Sequence, residues 1–185
     1  MFQVKIENTY LTIVKGDIIE ERVDVIVNAA NTSLLGGSGV DGVIHRIGGS
    51  ELKEDCQKIR ARQGGCKVGE AVITRAGNLP ANYVIHAVGP VWNGGQKKEE
   101  ELLSHTYRNS LLLATEHQAK TISFTAISTG IYRFPKNLAS EIALTTTLDF
   151  IREHEGALEE VRFILFDDES YQIYHQNIEI LKLNM

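Results

Sequence analysis

The sequence has few cysteines, and neither its cysteines nor its histidines show the spacing of a metal site. Cys56 and Cys66 are the two cysteines, and nine residues separate them, so they form no C-x-x-C pair. No two of the six histidines lie four residues apart, the spacing of a helical ligand pair. We therefore expect no disulfide framework and no bound metal, and we expect Cys56 to pack in the core beside Leu52 and Ile59.

The sequence also lacks a long apolar run and an excess of basic residues. No stretch approaches the 18 apolar residues of a membrane span, and the amino terminus has no apolar secretion signal. The formal net charge of −5 disfavours binding to nucleic acid through a basic face. We expect a cytoplasmic protein with no membrane or nucleic-acid partner. An anionic ligand would have to be bound mainly by backbone N–H groups and helix dipoles.

The composition is that of one soluble domain. Hydrophobic residues make up 43% and charged residues 23% of the 185 positions, which is ordinary for a globular protein. A chain of this length buries a sizeable core without disulfides or metals. We therefore predict a single domain over residues 1–185.

Apolar runs and helical stripes alternate along the chain. After an N-terminal hairpin, strands and helices follow one another, which predicts parallel strands joined by crossover helices on both faces of the sheet. Ser50 is expected to cap a helix that ends at Gly64 and Gly65, and the mixed charges of 97–101 are expected to form a solvated helix start. The predicted fold is a three-layer α/β/α sandwich with a mixed, mostly parallel central sheet. The predicted strands cover 2–6, 10–14, 23–27, 71–74, 83–88, 122–127 and 161–166.

Two loops, each placed between a buried strand and a helical pattern, are the most informative features. The first reads NAAN at 28–31 and LGGSGVDG at 35–42, and the second reads STGIYRFP at 128–135. A loop at the carboxyl end of a parallel strand, leading into a helix, presents free backbone N–H groups, and phosphates bind there. Glycines let the backbone approach a pyrophosphate closely. We therefore predict an anion-binding cleft between the two loops.

Three familiar motifs do not explain these loops. The segment from Gly37 to Gly42 fits G-x-G-x-x-G, but about ten residues separate it from the strand, and no second strand ends in an acid at the required distance. No Lys-Ser or Lys-Thr follows the glycines, which excludes a P-loop. Ser128 lies in no G-x-S-x-G elbow, so binding is a better interpretation for it than nucleophilic catalysis.

Several polar and aromatic side chains beside the loops have two interpretations each. Asp41 could stabilise the start of a helix, or it could orient a water or a ribose hydroxyl. Asn28 and Asn31 could form Asx turns or bind sugar hydroxyls; the two are equally supported for Asn28, and binding is favoured for Asn31. Asp17 could cap a turn or accept a hydrogen bond from an exocyclic amine. Phe166 could belong to the core or stack on a purine.

Five segments together resemble the macrodomain family, and specifically its MacroD-type branch. The resemblance spans nearly the whole chain in order and spacing, and it implies an α/β/α domain that binds ADP-ribose. It further implies hydrolysis of mono-ADP-ribose from acidic side chains of proteins and deacetylation of O-acetyl-ADP-ribose, with no metal and no cofactor. The matching segments are GDI at 16–18, VIVNAAN at 25–31, LGGSGVDG at 35–42, HAVGP at 86–90 and STGIY at 128–132.

The resemblance also implies a role for individual residues. Asp17 would bind the adenine amine with the Ile18 N–H nearby, and Phe166 would stack on the ring. Asn31 would bind the distal ribose hydroxyls, and Asp41 would lie beside the scissile ester, where it orients or deprotonates a water; these two are the implied catalytic residues. The two loops would surround the diphosphate and distal ribose through Gly37, Ser38, Gly39, Val40, Ser128, Thr129, Gly130, Ile131 and Tyr132.

Two positions depart from the usual family pattern, and two other functions remain open. Ser38 replaces the third of four consecutive glycines; if this position requires positive φ, its Cβ costs about 1 kcal/mol. Arg133 replaces a frequent glycine and could add a cation near the diphosphate. The first alternative function is a module that reads ADP-ribosylated proteins without cleaving them. The second is a nicotinamide-dependent oxidoreductase.

Overall fold

The computed structural model describes residues 1–185 and contains seven β-strands and five α-helices. Strands and helices alternate after the N-terminal hairpin, as the sequence predicts. The elements in chain order are β1 (Phe2–Ile6), β2 (Thr9–Lys15), β3 (Val23–Ala29), α1 (Gly39–Gly48), α2 (Ser50–Gln63), β4 (Ala71–Arg75), β5 (Ala81–Ala87), α3 (Glu99–Glu116), β6 (Thr121–Phe124), α4 (Lys136–Glu153), β7 (Glu160–Leu165) and α5 (Asp168–Leu183).

All seven strands form one sheet in the order β1-β2-β7-β6-β3-β5-β4. The pairs β1/β2 and β4/β5 are antiparallel, and the four pairs between them are parallel. This confirms the prediction of a mixed, mostly parallel sheet. The strands β2, β7, β6 and β3 are neighbours and run in one direction, so the loops that follow them emerge side by side at one edge.

The helices cover both faces of the sheet and enclose two separate cores. A core of 28 buried residues lies on the face covered by α3, α4 and α5, and one of 14 lies on the face covered by α1 and α2. Central strand β3 contributes to both, because Val25 and Val27 belong to the larger core and Ile26 to the smaller. Burial on both faces explains why this strand reads as an uninterrupted apolar run. None of the helices is long and apolar enough to cross a lipid bilayer.

Some element ends differ from the predictions. Ser50 is the first residue of α2 rather than its cap, because Gly49 occupies the cap position with φ of 81°. The N-terminal turn is made by Glu7 and Asn8, with Glu7 at φ of 52°. Strand β6 ends at Phe124, three residues early, which leaves residues 125–127 to line the cleft described below.

Glu99 shows that the charged segment 97–101 is more than a solvated helix start. Its side chain is buried and accepts hydrogen bonds from the backbone N–H groups of Asn93, Gly95 and Lys97. Burial opposes ionisation of Glu99, but these hydrogen bonds outweigh it and hold the pKa below its usual value. The carboxylate therefore organises the turn that leads into α3.

Candidate functional site

Two adjoining cavities form a cleft at the carboxyl edge of the sheet. One has a volume of about 280 Å³ and lies between the loops that follow β3 and β6. The other has a volume of about 320 Å³ and lies next to the ends of β2 and β7. Both are lined by Val40, Thr125, Ala126 and Gly130, so they are continuous. Asn28 and Arg133 do not line the cleft, which brings together all the residues that the resemblance implies for ADP-ribose binding: Asp17, Ile18, Asn31, Gly37, Ser38, Gly39, Val40, Asp41, Ser128, Thr129, Gly130, Ile131, Tyr132 and Phe166.

The first loop runs from the end of β3 to the amino end of α1. The backbone N–H groups of residues 36–40 have no acceptor within the protein. Positive φ occurs at Gly36 and Gly39, whereas Ser38 is extended with φ of −91°. Position 38 therefore does not require positive φ, and a serine adopts this conformation without cost.

Gly42 lets this loop approach helix α1 closely. A Cβ placed on Gly42, in the first turn of α1, would overlap the carbonyl oxygen of Gly37 in the preceding loop. Close contact between loop and helix therefore accounts for a glycine at position 42, and no dinucleotide-binding turn is needed to explain it. The contact determines where the free N–H groups point.

The second loop follows β6 and is held by hydrogen bonds to neighbouring parts of the chain. The Phe134 N–H donates to the Ser128 carbonyl at 2.9 Å, and the Trp92 N–H donates to the Tyr132 carbonyl at 2.8 Å. The Ile127 N–H donates to the Tyr107 hydroxyl at 3.2 Å. On the cleft side, the N–H groups of residues 128–132 have no acceptor within the protein.

Two residues of this loop have a left-handed backbone. Ser128 has φ of 68° and Arg133 has φ of 62°. At position 133 the family frequently has glycine, which adopts a left-handed backbone freely. Arg133 adopts the same conformation at a cost of about 1 kcal/mol. Arg133 does not line either cavity, so a contact between its guanidinium and a diphosphate remains a prediction from the sequence.

Asp41 lies in the first turn of α1 and is only 7% exposed. Its Oδ1 atom accepts a hydrogen bond from Asn28 Nδ2 at 2.8 Å and lies 3.3 Å from His45 Nε2, which lacks the alignment of a hydrogen bond. Oδ2 accepts no hydrogen bond within the protein and is not among its fully buried unpartnered atoms, and Asp41 lines the cleft, so Oδ2 is the oxygen that is open to it. Burial acts to raise the pKa of Asp41, but His45 and Asn28 outweigh it and lower the pKa. The Asp41 side chain is therefore an ionised carboxylate with Oδ1 fixed by its neighbours and Oδ2 facing the cleft.

The two asparagines have different surroundings. Asn28 lies within β3, is fully buried, and contacts Asp41 and His86, so neither interpretation made from the sequence holds for it. Asn31 lines the cleft and also shapes the loop. Its Oδ1 accepts hydrogen bonds from the N–H and hydroxyl of Ser33, and its Nδ2 donates to the Gly36 carbonyl at 3.2 Å.

The other end of the cleft has an exposed aromatic ring and an acidic side chain. Phe166 directly follows β7 and is 76% exposed, which rules out a core position. Asp17 Oδ1 accepts a hydrogen bond from the Ile19 N–H at 3.2 Å, so the interpretation as a turn cap holds, while the Ile18 N–H has no acceptor. Lys136, which the sequence analysis did not select, also lines this cavity.

Three buried side chains near Asp41 could ligate a metal ion. The ligand atoms of His45, Cys56 and His86 lie within 4.8 Å of one another. The cysteine lies in α2 and the second histidine in β5, so no sequence spacing reveals this group. Burial raises the pKa of Cys56 to about 11 and lowers that of His86 to about 3. Near pH 7 the neutral His86 ring could bind a metal, but Cys56 would first have to lose its proton, which its burial opposes.

Several lining residues were missed by the sequence analysis. Gly89 adjoins the second loop so closely that a Cβ would overlap the Ser128 hydroxyl. Its signal lies in the HAVGP segment at 86–90, one of the segments that carry the family resemblance. The others, Ala29, Ala30, Thr125, Ala126 and Ile127, line the cleft because strands end there, and side-chain chemistry does not mark them.

Comparison with known proteins matches this chain to a protein family. The sequence model of the family described as Macro domain matches residues 27–143. A relative named O-acetyl-ADP-ribose deacetylase, from Escherichia fergusonii, is 54% identical over 164 residues, covering 89% of this chain and 92% of the relative.

Solved structures show the same fold. A macrodomain of Oceanobacillus iheyensis, solved with ADP, is 41% identical and superposes with a TM-score of 0.94, covering 100% of this chain and 97% of the other. A Trypanosoma brucei macrodomain in complex with ADP-ribose is 39% identical with a TM-score of 0.82, covering 91% of this chain and 68% of the other. The three-layer α/β/α prediction is thereby confirmed.

Proposed function

The chain belongs to the macro domain family, and on this premise we propose that residues 1–185 form one ADP-ribose-binding enzyme. The proposed reaction is hydrolysis of the ester in O-acetyl-ADP-ribose and of the ester that joins mono-ADP-ribose to an acidic side chain of a protein. Both substrates carry the same nucleotide and an acyl group on its distal ribose. One cleft can therefore serve both.

The free backbone N–H groups of the two loops are the observation that carries the binding proposal. Residues 37–40 and 128–132, whose N–H groups have no acceptor within the protein, line the cleft beside the amino ends of α1 and α4. A diphosphate supplies the acceptors that they lack, and the helix dipoles favour its negative charge. This arrangement also fits a chain whose net charge is −5, since no basic patch is needed.

The rest of the ligand follows from the direction of the cleft. We place adenine at Asp17 and Ile18, with Phe166 against one face of the ring. The distal ribose then lies near Asn31 and Asp41, which line the other cavity. This order puts the scissile ester next to the one carboxylate oxygen that faces the cleft.

In the proposed mechanism, Asp41 orients a water molecule for attack on the ester. Its lowered pKa keeps the carboxylate ionised, so Oδ2 accepts a hydrogen bond from the water. A carboxylate of low pKa is a weak base, which favours orientation over full deprotonation before attack. Attack at the acyl carbon releases the ribose hydroxyl, while attack at the anomeric carbon releases the carboxylate; both give ADP-ribose and a free acid.

The test of this function uses the wild-type protein with three compounds. Calorimetry with ADP-ribose measures binding, and product analysis with O-acetyl-ADP-ribose and with a protein mono-ADP-ribosylated on glutamate measures hydrolysis. Oxygen-18 from labelled water enters the acid if the acyl carbon is attacked and the ribose if the anomeric carbon is attacked. If the protein binds ADP-ribose but releases neither acetate nor the free glutamate side chain, the function is that of the reader module. If it retains NAD and does not bind ADP-ribose, the result supports the oxidoreductase.

Phe166→Ala is expected to weaken ADP-ribose binding by about 10- to 100-fold, because stacking of a base on an aromatic ring contributes about 1–3 kcal/mol. The ring is exposed, so its removal leaves no cavity and the free energy of unfolding stays close to that of the wild type. Titration calorimetry and denaturant unfolding measure the two quantities. The matched control is Ile180→Ala, which removes another exposed apolar side chain on α5, away from the cleft. Equal affinity in Phe166→Ala and the wild type would contradict adenine stacking.

A further inference from the structure

A chain of buried polar groups lies beneath Asp41 and crosses three neighbouring strands. Asn28 is in β3, His86 is its register partner in β5, and Thr74 is in the edge strand β4. All three are buried, and none of them lines the cleft. Of the three, only Asn28 donates a hydrogen bond to Asp41, and hydrogen bonds connect His86 to Asp41 only through Asn28.

With the Asn28 amide oriented as in the structure, where its Oδ1 has no partner, the hydrogen bonds in this chain have one consistent set of directions. Asn28 Nδ2 is a donor only, and it contacts both Asp41 Oδ1 at 2.8 Å and His86 Nδ1 at 3.2 Å. His86 Nδ1 must therefore accept, which places the proton of the neutral ring on Nε2. His86 Nε2 lies 3.0 Å from Thr74 Oγ1, whose own hydrogen is donated to the Arg75 carbonyl at 3.0 Å. The threonine oxygen is thus available to accept from Nε2–H.

We propose that His86, fixed as the Nε2–H tautomer by Thr74, is a positioning residue that orients the Asn28 amide toward Asp41. The orientation holds Asp41 Oδ1 in place and leaves Oδ2 for the substrate water. The catalytic consequence rests on the proposed hydrolysis, whereas the tautomer and its effect on Asp41 do not.

The other tautomer would reverse the amide. A proton on His86 Nδ1 would face the Asn28 amide nitrogen, a donor against a donor, and rotation of the amide would relieve this conflict. The amide oxygen would then face Asp41 Oδ1, and a hydrogen bond to the carboxylate would become a repulsion.

Two other groups contact Asp41 or His86. His45 faces the carboxylate from α1, and Cys56 of α2 lies 3.8 Å from His86 Nε2. Burial lowers the pKa of His86 to about 3, so its ring is neutral and its tautomer is the variable that matters. Thr74 is the partner that selects this tautomer without touching Asp41 or the cleft.

The test replaces Thr74 and measures the ligand-free protein first. Thr74→Val keeps the shape and removes the hydroxyl, Thr74→Ala removes it in another way, and Thr74→Ser keeps it. The matched control is Thr147→Val, because Thr147 is buried in α4 with no hydrogen-bond partner for its hydroxyl. Nitrogen-15 NMR of the His86 ring reports the tautomer, and carbon-13 NMR of the Asp41 carboxyl reports its pKa.

We expect His86 to carry its proton on Nε2 in the wild type, in Thr74→Ser and in Thr147→Val. In Thr74→Val and Thr74→Ala, we expect a mixture of tautomers and a pKa of Asp41 that is higher than in the wild type, since the carboxylate loses a hydrogen bond that favours its charged form. With substrate, kcat should fall by about 10- to 100-fold, as for a misplaced reacting group, with KM nearly unchanged.

A proton on Nδ1 in the wild type would overturn the proposal. A second result would also overturn it: Thr74→Val and Thr74→Ala unfold more easily but keep the wild-type tautomer of His86 and the wild-type pKa of Asp41. That result is expected if Thr74 has a purely structural role. If the wild type hydrolyses neither ester, the proposed function fails, and the two NMR measurements still decide this inference.

Discussion

Asp41→Ala is expected to lower kcat for both esters by about 10²- to 10⁴-fold, the range for loss of one positioned acid or base. The affinity for ADP-ribose should change little, because the diphosphate is bound by backbone N–H groups that the substitution leaves in place. Replacing a largely buried carboxylate also leaves the Asn28 amide without its partner, so some loss of stability accompanies the loss of activity. Single-turnover release of label from a glutamate-modified protein, together with calorimetry, measures both effects.

The matched control for this variant is Asp149→Ala, which removes an exposed carboxylate from α4, outside the cleft. It should behave as the wild type in both assays. Turnover by Asp41→Ala equal to that of the wild type would refute the role of Asp41. Loss of binding together with turnover would mean that Asp41 serves the ligand as a whole and not the reacting ester.

Gly42→Ala is expected to weaken ADP-ribose binding by about 100-fold or more. The added Cβ overlaps the Gly37 carbonyl oxygen, and this neighbour is backbone, so the first loop has to move away from α1. Movement redirects the N–H groups of residues 36–40, and each hydrogen bond to a charged group contributes about 1.5–3 kcal/mol. Alanine is otherwise favoured over glycine in a helix, so the effect arises from the loop.

Calorimetry and thermal unfolding separate the two contributions for this variant. Gly156→Ala is the matched control, since its Cβ meets no neighbour but its left-handed backbone with φ of 78° disfavours alanine. The control should lose some stability and keep its affinity, whereas Gly42→Ala should lose affinity beyond any loss of stability. Wild-type affinity in Gly42→Ala would show that the loop position does not determine binding.

The sequence predicts most of the fold and the outline of the cleft for identifiable reasons. Strand β3 reads as a buried strand because both of its faces are covered, so apolar residues occupy consecutive positions. The loops can be found because glycine, asparagine and serine interrupt such runs at strand ends. Since parallel strands share one carboxyl edge, the loops from distant segments could be assigned to a common site.

The details that depend on contacts between distant strands could not be predicted. Asn28 meets His86 only because β3 and β5 pair in one particular register, and Thr74 joins them because β4 pairs antiparallel with β5. Backbone conformation was equally inaccessible. Ser38 in a glycine-rich run suggested strain, yet the left-handed positions fall on its neighbours Gly36 and Gly39.

The strands β2, β7, β6 and β3 are adjacent in the sheet but far apart along the chain, and each ends at the cleft. A nucleotide lying across all four ends touches segments from both termini and from the middle of the polypeptide. No contiguous fragment shorter than about residues 17–166 can offer all these contacts. Nucleotide binding thereby favours the state in which the whole sheet is assembled, and it couples ligand occupancy to the global unfolding equilibrium and not only to local loop order.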